Sequence, residues 1–337
     1  MMALSGLPAS SAPLPWQGES WSRLAGQQRS DKLPHALLLV GPQHTGKALL
    51  ALALARLLLC AQPSNGRNCG QCHACALSAS GSHGDWRWLQ PETDSRIIKV
   101  EQVRELVEFT NRTASFGRCK VAVLAPAECM NASAANALLK SLEEPAADTY
   151  LILISHRPHG VPATLRSRCQ ILRPEVPTAE QSLVWLDRLT AERAQSETLL
   201  EVARGKPLLA QQLFREGSAQ ALAATQGALC GFMRGRVPLA EAAVALSELS
   251  VDAFLAQFAA QLRGLLRNCA GVDLSGYQGR ALFVLLDDVM RLQRAVDAGS
   301  NPNRQLLLES VLGKYCRVLG AAGLGDTIPA PSGRHFV

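Results

Sequence analysis

The sequence predicts an α/β domain followed by an all-α region. In the first half of the 337 residues, short and nearly continuous apolar runs alternate with segments in which apolar residues recur at helical spacing. After Pro177 the apolar residues recur at helical spacing alone. Because strands that are apolar at every position are buried on both faces, we expect the first half to form a parallel sheet covered by helices on both sides.

The predicted elements of the first half follow each other in an alternating order. The strands are expected at residues 36–40, 86–89, 120–124, 150–154 and 170–172. The helices are expected at about 47–59, 101–112 and 135–142. Residues 60–83 are rich in glycine and cysteine, and we expect them to form an excursion between the first helix and the second strand.

The second half is predicted to be helical and to divide into smaller parts. Its helices are expected at about 179–189, 197–203, 206–214, 251–267, 280–297 and 303–318. Pro174, Pro177 and Gly217 mark the expected boundaries between these parts. The predicted segments are an α/β domain at 1–176, a small helical domain at 177–216, a larger helical domain at 217–327 and a flexible tail at 328–337.

Composition and charge restrict the class of protein. Hydrophobic residues make up 47% of the chain and the formal net charge is +6, which suits a globular protein with or without a nucleic-acid partner. No apolar run reaches the about 20 residues that a membrane helix needs, and the amino terminus lacks the features of a secretory signal. We therefore expect a cytoplasmic protein without a membrane partner, whose ten cysteines are reduced or bind metal.

The segment between the first predicted strand and helix nearly matches a phosphate-binding P-loop. Residues 41–48 read G-P-Q-H-T-G-K-A, whereas the motif is G-x-x-x-x-G-K followed by serine or threonine. In this motif the backbone N–H groups and the helix amino terminus hold a phosphate, and the lysine reaches the outer phosphates. Gly41, Gly46 and Lys47 are therefore candidates for binding a nucleotide such as ATP. The structural alternative is a glycine turn that caps a helix.

Two elements that ATP hydrolysis needs are missing from this motif. Ala48 occupies the hydroxyl position, and its methyl group cannot ligate the Mg²⁺ ion that bridges the phosphates. Ala125 and Pro126 stand where acidic residues normally follow an apolar strand, and Glu128 lies two residues further on. The sequence therefore predicts negligible ATP hydrolysis and leaves open whether a nucleotide binds.

Four cysteines form a compact motif directly after the first predicted helix. Cys60, Cys69, Cys72 and Cys75 have the spacing C-x8-C-x2-C-x2-C. Short C-x2-C turns bring pairs of thiolates to one ion, and four thiolates satisfy the tetrahedral preference of Zn²⁺ without leaving a position for a substrate. We therefore predict a structural zinc site. Reduced surface cysteines and an iron–sulfur cluster are the alternatives.

Several segments together resemble the clamp-loader branch of the AAA+ proteins. Besides the P-loop and the four cysteines, they are L-P-H-A-L-L at 33–38, N-A-L-L-K-S-L-E-E-P at 136–145 and T-L-R-S-R-C at 164–169. These motifs cover about the first 175 residues, and the helical remainder agrees in size and order only. The resemblance implies an AAA+ P-loop domain with a parallel sheet, a small helical lid domain and a carboxy-terminal helical collar domain that mediates oligomerisation.

The resemblance also implies a function and partners. Bacterial clamp loaders are pentameric complexes with gamma/tau and delta subunits, and they place the sliding clamp on primed DNA for DNA polymerase III during replication. The degenerate P-loop resembles that of a non-hydrolysing subunit, whereas the gamma/tau subunits have intact motifs. The chain is therefore expected to have no catalytic activity of its own and to act within a DNA polymerase holoenzyme.

The resemblance assigns a role to Arg168, which lies in the sequence Ser167-Arg168-Cys169. It implies that Arg168 is an arginine finger that acts in trans on ATP bound to a neighbouring subunit. A guanidinium is always charged and presents a planar set of donors, so it can stabilise the transition state of γ-phosphoryl transfer. Arg166 is the fallback candidate, and a surface arginine beside a strand is the structural alternative.

Two other functions remain open from the sequence. One is an active ATPase subunit similar to gamma/tau, against which Ala48, Ala125 and Pro126 argue. The other is a zinc-containing module that binds nucleic acid, against which the mild charge and the lack of a basic stripe with interleaved aromatic residues argue. ATP turnover and salt-dependent DNA binding by the isolated chain separate these alternatives.

Overall fold

The computed structural model of the chain consists of two compact units. It describes residues 8–93, 95–116, 118–268, 276–297 and 300–319. The first unit comprises Met1–Ser196 and Lys206–Leu209, and the second comprises Glu197–Gly205 and Ala210–Val337. Cys269 and the tail expected at 328–337 lie outside the described residues. The finer division of the chain at 177 and 217 stays a prediction.

A five-stranded parallel sheet forms the centre of the first unit. The strands are β1 (Ala36–Val40), β2 (Trp86–Leu89), β3 (Lys120–Leu124), β4 (Thr149–Ser155) and β5 (Gln170–Leu172). Their order across the sheet is β2-β3-β4-β1-β5, and every neighbouring pair is parallel. The predicted α/β class of this region is confirmed, and β4 extends one residue further at each end than its sequence pattern indicated.

Helices cover both faces of this sheet. In the first unit they are α1 (Gly18–Arg29), α2 (Lys47–Leu59), α3 (His73–Ser80), α4 (Val100–Asn111), α5 (Ala132–Glu143), α6 (Ala163–Arg166) and α7 (Ala179–Thr190). Leu37 and Leu39 of β1 pack with α1 and α2, whereas Leu38 and Val40 pack with α4 and α5 on the other face. Every residue of β1 is therefore buried, which explains why its sequence does not alternate between apolar and polar residues.

Three helices of the first unit were not predicted, and one of them, α6, is a single turn of four residues. The apolar residues that α1 buries are Trp21, Leu24 and Ala25, so its periodic signal is weak. The third is α3, which lies inside the excursion predicted at residues 60–83, where no helix was specified. It begins directly after Cys72 and buries only Cys75, so the cysteine motif sets its position and no apolar stripe announces it.

In the second unit, every secondary-structure element among the described residues is a helix, and α8 and α9 are each divided between the two units. The remaining helices are α8 (Arg193–Val202), α9 (Pro207–Glu216), α10 (Ala219–Met233), α11 (Leu239–Leu246), α12 (Val251–Asn268), α13 (Tyr277–Asp297) and α14 (Arg304–Leu319). The core of the second unit includes Phe254, Phe258 and Tyr315, and the Tyr315 hydroxyl donates to Met233 O over 2.7 Å. The predicted all-α class of this region is confirmed. Among the described residues, no helix is long and apolar enough to span a membrane.

Candidate P-loop, metal and arginine sites

The P-loop segment lies between β1 and α2, at the edge of the sheet where the parallel strands end. Gly41 N donates to Ser155 O of β4 over 3.3 Å, which joins the loop to the neighbouring strand. Gly46 precedes α2 and has a φ of +103°, in the left-handed region that favours glycine. Lys47 is the first residue of α2 and is 3% exposed. The fold thus brings Gly41, Gly46 and Lys47 together at one helix amino terminus.

The ammonium group of Lys47 is bound by the loop itself. Its Nζ donates to Gly41 O over 2.7 Å and also to Pro42 O. Burial lowers the pKa of Lys47 to about 8, and the nearby carboxylate of Glu128 opposes this shift. Because a lysine that titrates near pH 8 is charged at neutral pH, the loop keeps a positive charge at this position. That charge is already shared with two backbone carbonyl oxygens.

The segment that precedes α1 packs against the P-loop. Trp16 Nε1 donates to Thr45 O over 3.0 Å. A Cβ on Gly46 would lie 2.2 Å from Leu14 Cδ1 and 3.1 Å from Gln17 Nε2. Gln17 is fully buried, and its Oε1 accepts a hydrogen bond of 3.1 Å from Leu14 N. Glycine at position 46 is therefore required by the backbone conformation and by the packing of Leu14.

Replacing Gly46 by alanine is expected to lower the free energy of unfolding by about 2–4 kcal/mol, because the methyl group strains the left-handed backbone and collides with Leu14. The matched control is Gly26→Ala in α1, where a Cβ meets no atom within 4 Å and alanine favours the helix. Urea denaturation followed by circular dichroism measures both variants. Equal stability of the two variants would show that Leu14 moves aside without cost.

The two positions at which hydrolysis needs oxygen ligands carry no side-chain oxygen. Ala48 is partly buried against the core between α2 and the sheet. At the end of β3, Ala125 follows Leu124, and its N–H donates to Leu89 O of β2 over 2.9 Å. Because Mg²⁺ in phosphate sites is held through hydroxyl and carboxylate oxygens, neither side chain can anchor it.

Glu128 lies nearer to the P-loop than the sequence indicated. Its side chain is 3% exposed, and its Oε1 accepts a hydrogen bond of 2.9 Å from His156 N, directly after β4. Its Oε2 and His156 Nδ1 are buried without a hydrogen-bond partner in the described part of the chain. Burial and, to a smaller extent, the charge of Lys47 lower the pKa of His156 to about 3.

The sequence placed Glu128 two residues beyond the expected acidic position and gave it no role, because an acid was expected directly at the end of β3. The turn Ala127–Cys129 follows β3 and places Glu128 at the end of β4. A signal was present, since Glu128 is the one acidic residue between positions 120 and 142 of the sequence. Its Oε1 accepts from a backbone N–H, and its position in the sequence differs from that of an acid directly at the end of the strand.

The four cysteines meet at the carboxyl end of α2. Cys60 follows the last residue of α2, Cys72 precedes α3 and Cys75 lies in the first turn of α3. The four Sγ atoms all lie within 4.8 Å of one another. The Sγ atoms of Cys60 and Cys72 are 3.9 Å apart, and those of Cys69 and Cys75 are 4.0 Å apart. A tetrahedral ion with bonds of about 2.3 Å to sulfur requires sulfur atoms roughly 3.8 Å apart, so the observed spacing fits.

N–H groups are directed at the sulfur atoms of this cluster. Cys69 N donates to Cys60 Sγ over 3.2 Å, and Cys72 N donates to Cys69 Sγ over 3.3 Å. Asn68 Nδ2 donates to Cys75 Sγ over 3.2 Å and to Ala9 O over 2.7 Å. Such bonds stabilise thiolates and orient them as metal ligands. The cysteine cluster could therefore bind a metal ion.

Arg168 lies at the surface, two residues after α6. Its Nε donates to Glu143 Oε1 over 2.6 Å, and its Nη2 contacts the same oxygen. Its Nη1 donates to Thr164 O over 2.9 Å, and 34% of the Arg168 side chain is exposed. The fallback candidate Arg166 is the last residue of α6, and its Nε is buried without a hydrogen-bond partner among the described residues. Arg168 therefore presents an ordered, partly exposed guanidinium, whereas the Nε of Arg166 is enclosed.

The parallel sheet, the loop before α2 and the missing side-chain ligands for Mg²⁺ define a P-loop-type α/β protein with a degenerate nucleotide site. A family model described as "DNA polymerase III, delta subunit" matches residues 16–177. The matched range includes the P-loop, the four cysteines and Arg168.

Curated relatives identify the family over a longer part of the chain. DNA polymerase III subunit delta-prime of Pseudomonas aeruginosa is 37% identical over 324 residues, which cover 91% of this chain and 98% of that protein. The subunit of the same name from Escherichia coli K12 is 31% identical over 316 residues, which cover 88% and 93%. The chain therefore belongs to the DNA polymerase III delta-prime family, and the resemblance found in the sequence is confirmed. A solved DNA polymerase III gamma subunit-related protein of Thermotoga maritima is 16% identical, with a TM-score of 0.47, and the match covers 89% of this chain and 99% of that one.

Proposed function

We propose that this chain acts as a non-hydrolysing subunit of a bacterial DNA polymerase III clamp loader. The observation that carries the proposal is the match to delta-prime proteins over almost the whole chain, together with alanine at the hydroxyl position of the P-loop. In this proposal the chain assembles with gamma/tau and delta subunits into a pentameric core in the cytoplasm. The complex loads the sliding clamp onto primed DNA, and this chain has no catalytic activity of its own.

The proposal gives each predicted segment a role. The α/β domain at 1–176 carries the degenerate P-loop, the cysteine cluster and the candidate arginine finger. The segment at 177–216 is the lid domain, and the segment at 217–327 is the collar domain through which the subunits of the loader associate. The separate helical core around Phe254, Phe258 and Tyr315 supports a collar that folds as a body of its own.

Arg168 is proposed to complete the ATP site of a neighbouring subunit. Three properties support this role: the side chain is partly exposed, its orientation is fixed by hydrogen bonds, and its guanidinium presents a planar set of donors. Arg166 fits the role less well because its Nε is enclosed in the described part of the protein. In this proposal, Arg168 acts on the γ-phosphate of ATP that the neighbouring subunit binds.

The cysteine cluster is proposed to hold one structural Zn²⁺ through Cys60, Cys69, Cys72 and Cys75. The spacing of the sulfur atoms and the N–H groups directed at them support four thiolate ligands. The ion would join the end of α2 to the start of α3 and would act on no substrate, since four protein ligands leave no open position.

Reconstitution with the partner subunits tests the proposed function. The chain is mixed with purified gamma/tau and delta subunits of the same organism, and the complex is isolated by size exclusion and weighed by native mass spectrometry. We expect a stable complex that contains this chain together with both partner types. Failure to associate at micromolar concentration contradicts the proposal. The alternative of a nucleic-acid-binding module predicts salt-dependent DNA binding by the isolated chain instead.

The isolated chain is expected to hydrolyse no ATP above background. Ala48→Thr alone should not restore turnover, because Ala125 and Pro126 still offer no carboxylate and Glu128 Oε1 is bound to His156 N. The measurement is phosphate release, with Lys47→Ala as the control for contaminating ATPases. Turnover in the wild-type chain that Lys47→Ala abolishes would support the active gamma/tau-like alternative.

A further inference from the structure

An exposed stripe of polar residues runs along α5 and ends beside Arg168. Asn136, Lys140 and Glu143 are exposed and stand four and three residues apart, which places them on one face of the helix. The opposite face buries Leu138 and Leu142 in the core of the first unit. Glu143 is the last residue of α5, so its side chain stands at the end of the stripe.

The carboxylate of Glu143 and the backbone carbonyl of Thr164 hold the guanidinium of Arg168 from two sides. Glu143 Oε1 accepts from Nε over 2.6 Å and also contacts Nη2. On the other side, Nη1 donates to Thr164 O over 2.9 Å and lies 3.4 Å from Ser167 Oγ. A guanidinium has five N–H groups, and these four contacts leave one N–H of Nη2 for an external acceptor. That N–H can donate to an oxygen of a phosphate.

We propose that Glu143 is a positioning residue for Arg168, and this inference rests on the proposed role of Arg168 as an arginine finger. Glu143 binds the edge formed by Nε and Nη2 and thereby fixes the plane of the guanidinium, while one N–H of Nη2 stays available for a phosphate. A long side chain that is ordered before the encounter loses less conformational freedom when it engages its target.

The negative charge of Glu143 also has an opposing effect, because it reduces the attraction between Arg168 and a phosphate. This effect is small where the two side chains are in contact with water, since 34% of Arg168 and 47% of Glu143 are exposed and solvent screens their charges. Orientation therefore outweighs the loss of attraction, and removing Glu143 lowers the activity of the loader.

A double-mutant cycle in the reconstituted loader tests this inference. The variants are Glu143→Gln, Arg168→Ala and the combination of both, and the readout is clamp- and DNA-stimulated ATP hydrolysis by the complete complex. We expect Glu143→Gln to lower kcat about fivefold with little change in KM for ATP, and to have no further effect in the Arg168→Ala background. The matched control is Glu144→Gln, which removes the same charge from the neighbouring exposed residue and should leave kcat unchanged.

The outcomes of this cycle separate the inference from the proposed function. If Arg168→Ala lowers kcat and Glu143→Gln does not, the finger stands and the positioning role is wrong. If Glu143→Gln lowers kcat equally with and without Arg168, Glu143 acts elsewhere and the inference is also wrong. If Arg168→Ala has no effect, the proposed finger fails and the inference fails with it. Native mass spectrometry measures the assembly of the Glu143→Gln complex, and thermal melting measures the stability of the variant. A loss of either assigns Glu143 a structural role and overturns the inference.

Discussion

A loader reconstituted with Arg168→Ala is expected to hydrolyse ATP far more slowly than the wild-type complex at the site that this chain is proposed to complete. Removal of an arginine finger costs about 10³–10⁵-fold at the affected site, because the charge that develops on the transferred phosphoryl group loses its partner. The bulk rate should fall less, since sites completed by other subunits continue to turn over. The measurement is steady-state ATP hydrolysis in the presence of clamp and primed DNA.

The same substitution should leave the fold and the assembly of the subunit almost unchanged. Arg168 is partly exposed and its ion pair with Glu143 lies at the surface, so its loss changes stability by about 0–1 kcal/mol. Arg168→Lys should rescue turnover poorly, because an ammonium group keeps the charge and loses the planar fork. Arg166→Ala is the comparison that tests the fallback candidate. Full activity with Arg168→Ala, or a loss explained entirely by failed assembly, contradicts the proposed finger.

Loss of one cysteine ligand is expected to release the metal ion and to unfold the region around α3. Structural zinc sites in small peptides contribute about 10–16 kcal/mol of apparent binding free energy, which is comparable to the about 5–15 kcal/mol that stabilises a whole domain. In Cys72→Ser the zinc content should fall from about one ion per chain to near zero. The helical second unit has its own core and should stay folded.

Elemental analysis and hydrogen exchange measure these two effects separately. Amide protection should be lost around residues 60–80 and retained in α12 and α14. The matched control is Cys316→Ser, which changes a half-buried cysteine outside the cluster and should retain the metal. Wild-type protein without zinc, or with iron in its place, refutes the proposed structural zinc site.

The buried strands were predictable because their position in the sheet imposes a simple composition. A strand such as β1, which contributes to the core on both faces, tolerates apolar residues only, and this produces a run that stands out in the sequence. The helix α3 gives no such signal, since it is short and buries a single metal-ligand candidate. Its position follows from Cys72 and Cys75 of the cysteine motif and not from an apolar stripe.

The candidate sites were predictable to the extent that one local segment contains them. The P-loop and the cysteine motif are each contiguous, so spacing alone indicated their chemistry. By contrast, the hydrogen bond between Glu128 and His156 joins residues 28 positions apart, and that between Glu143 and Arg168 joins residues 25 positions apart. Such pairs arise where a turn or helix end meets a neighbouring segment, and no local pattern in a single sequence encodes them.

Leu14 and the left-handed backbone restrict which residues the P-loop accepts as such a protein diverges. Position 48 can exchange a hydroxyl for a methyl group without structural cost, because the side chain lies against an apolar core. Glycine at position 46 cannot be replaced by another residue without strain, since any Cβ meets Leu14. Lys47 binds carbonyl oxygens of the loop and thereby fixes its shape. The packing therefore favours glycine and lysine at these positions even where the hydroxyl and the acid are absent. In a loop of this kind, the glycine and the lysine say little about turnover, which has to be judged from the residues that packing does not protect.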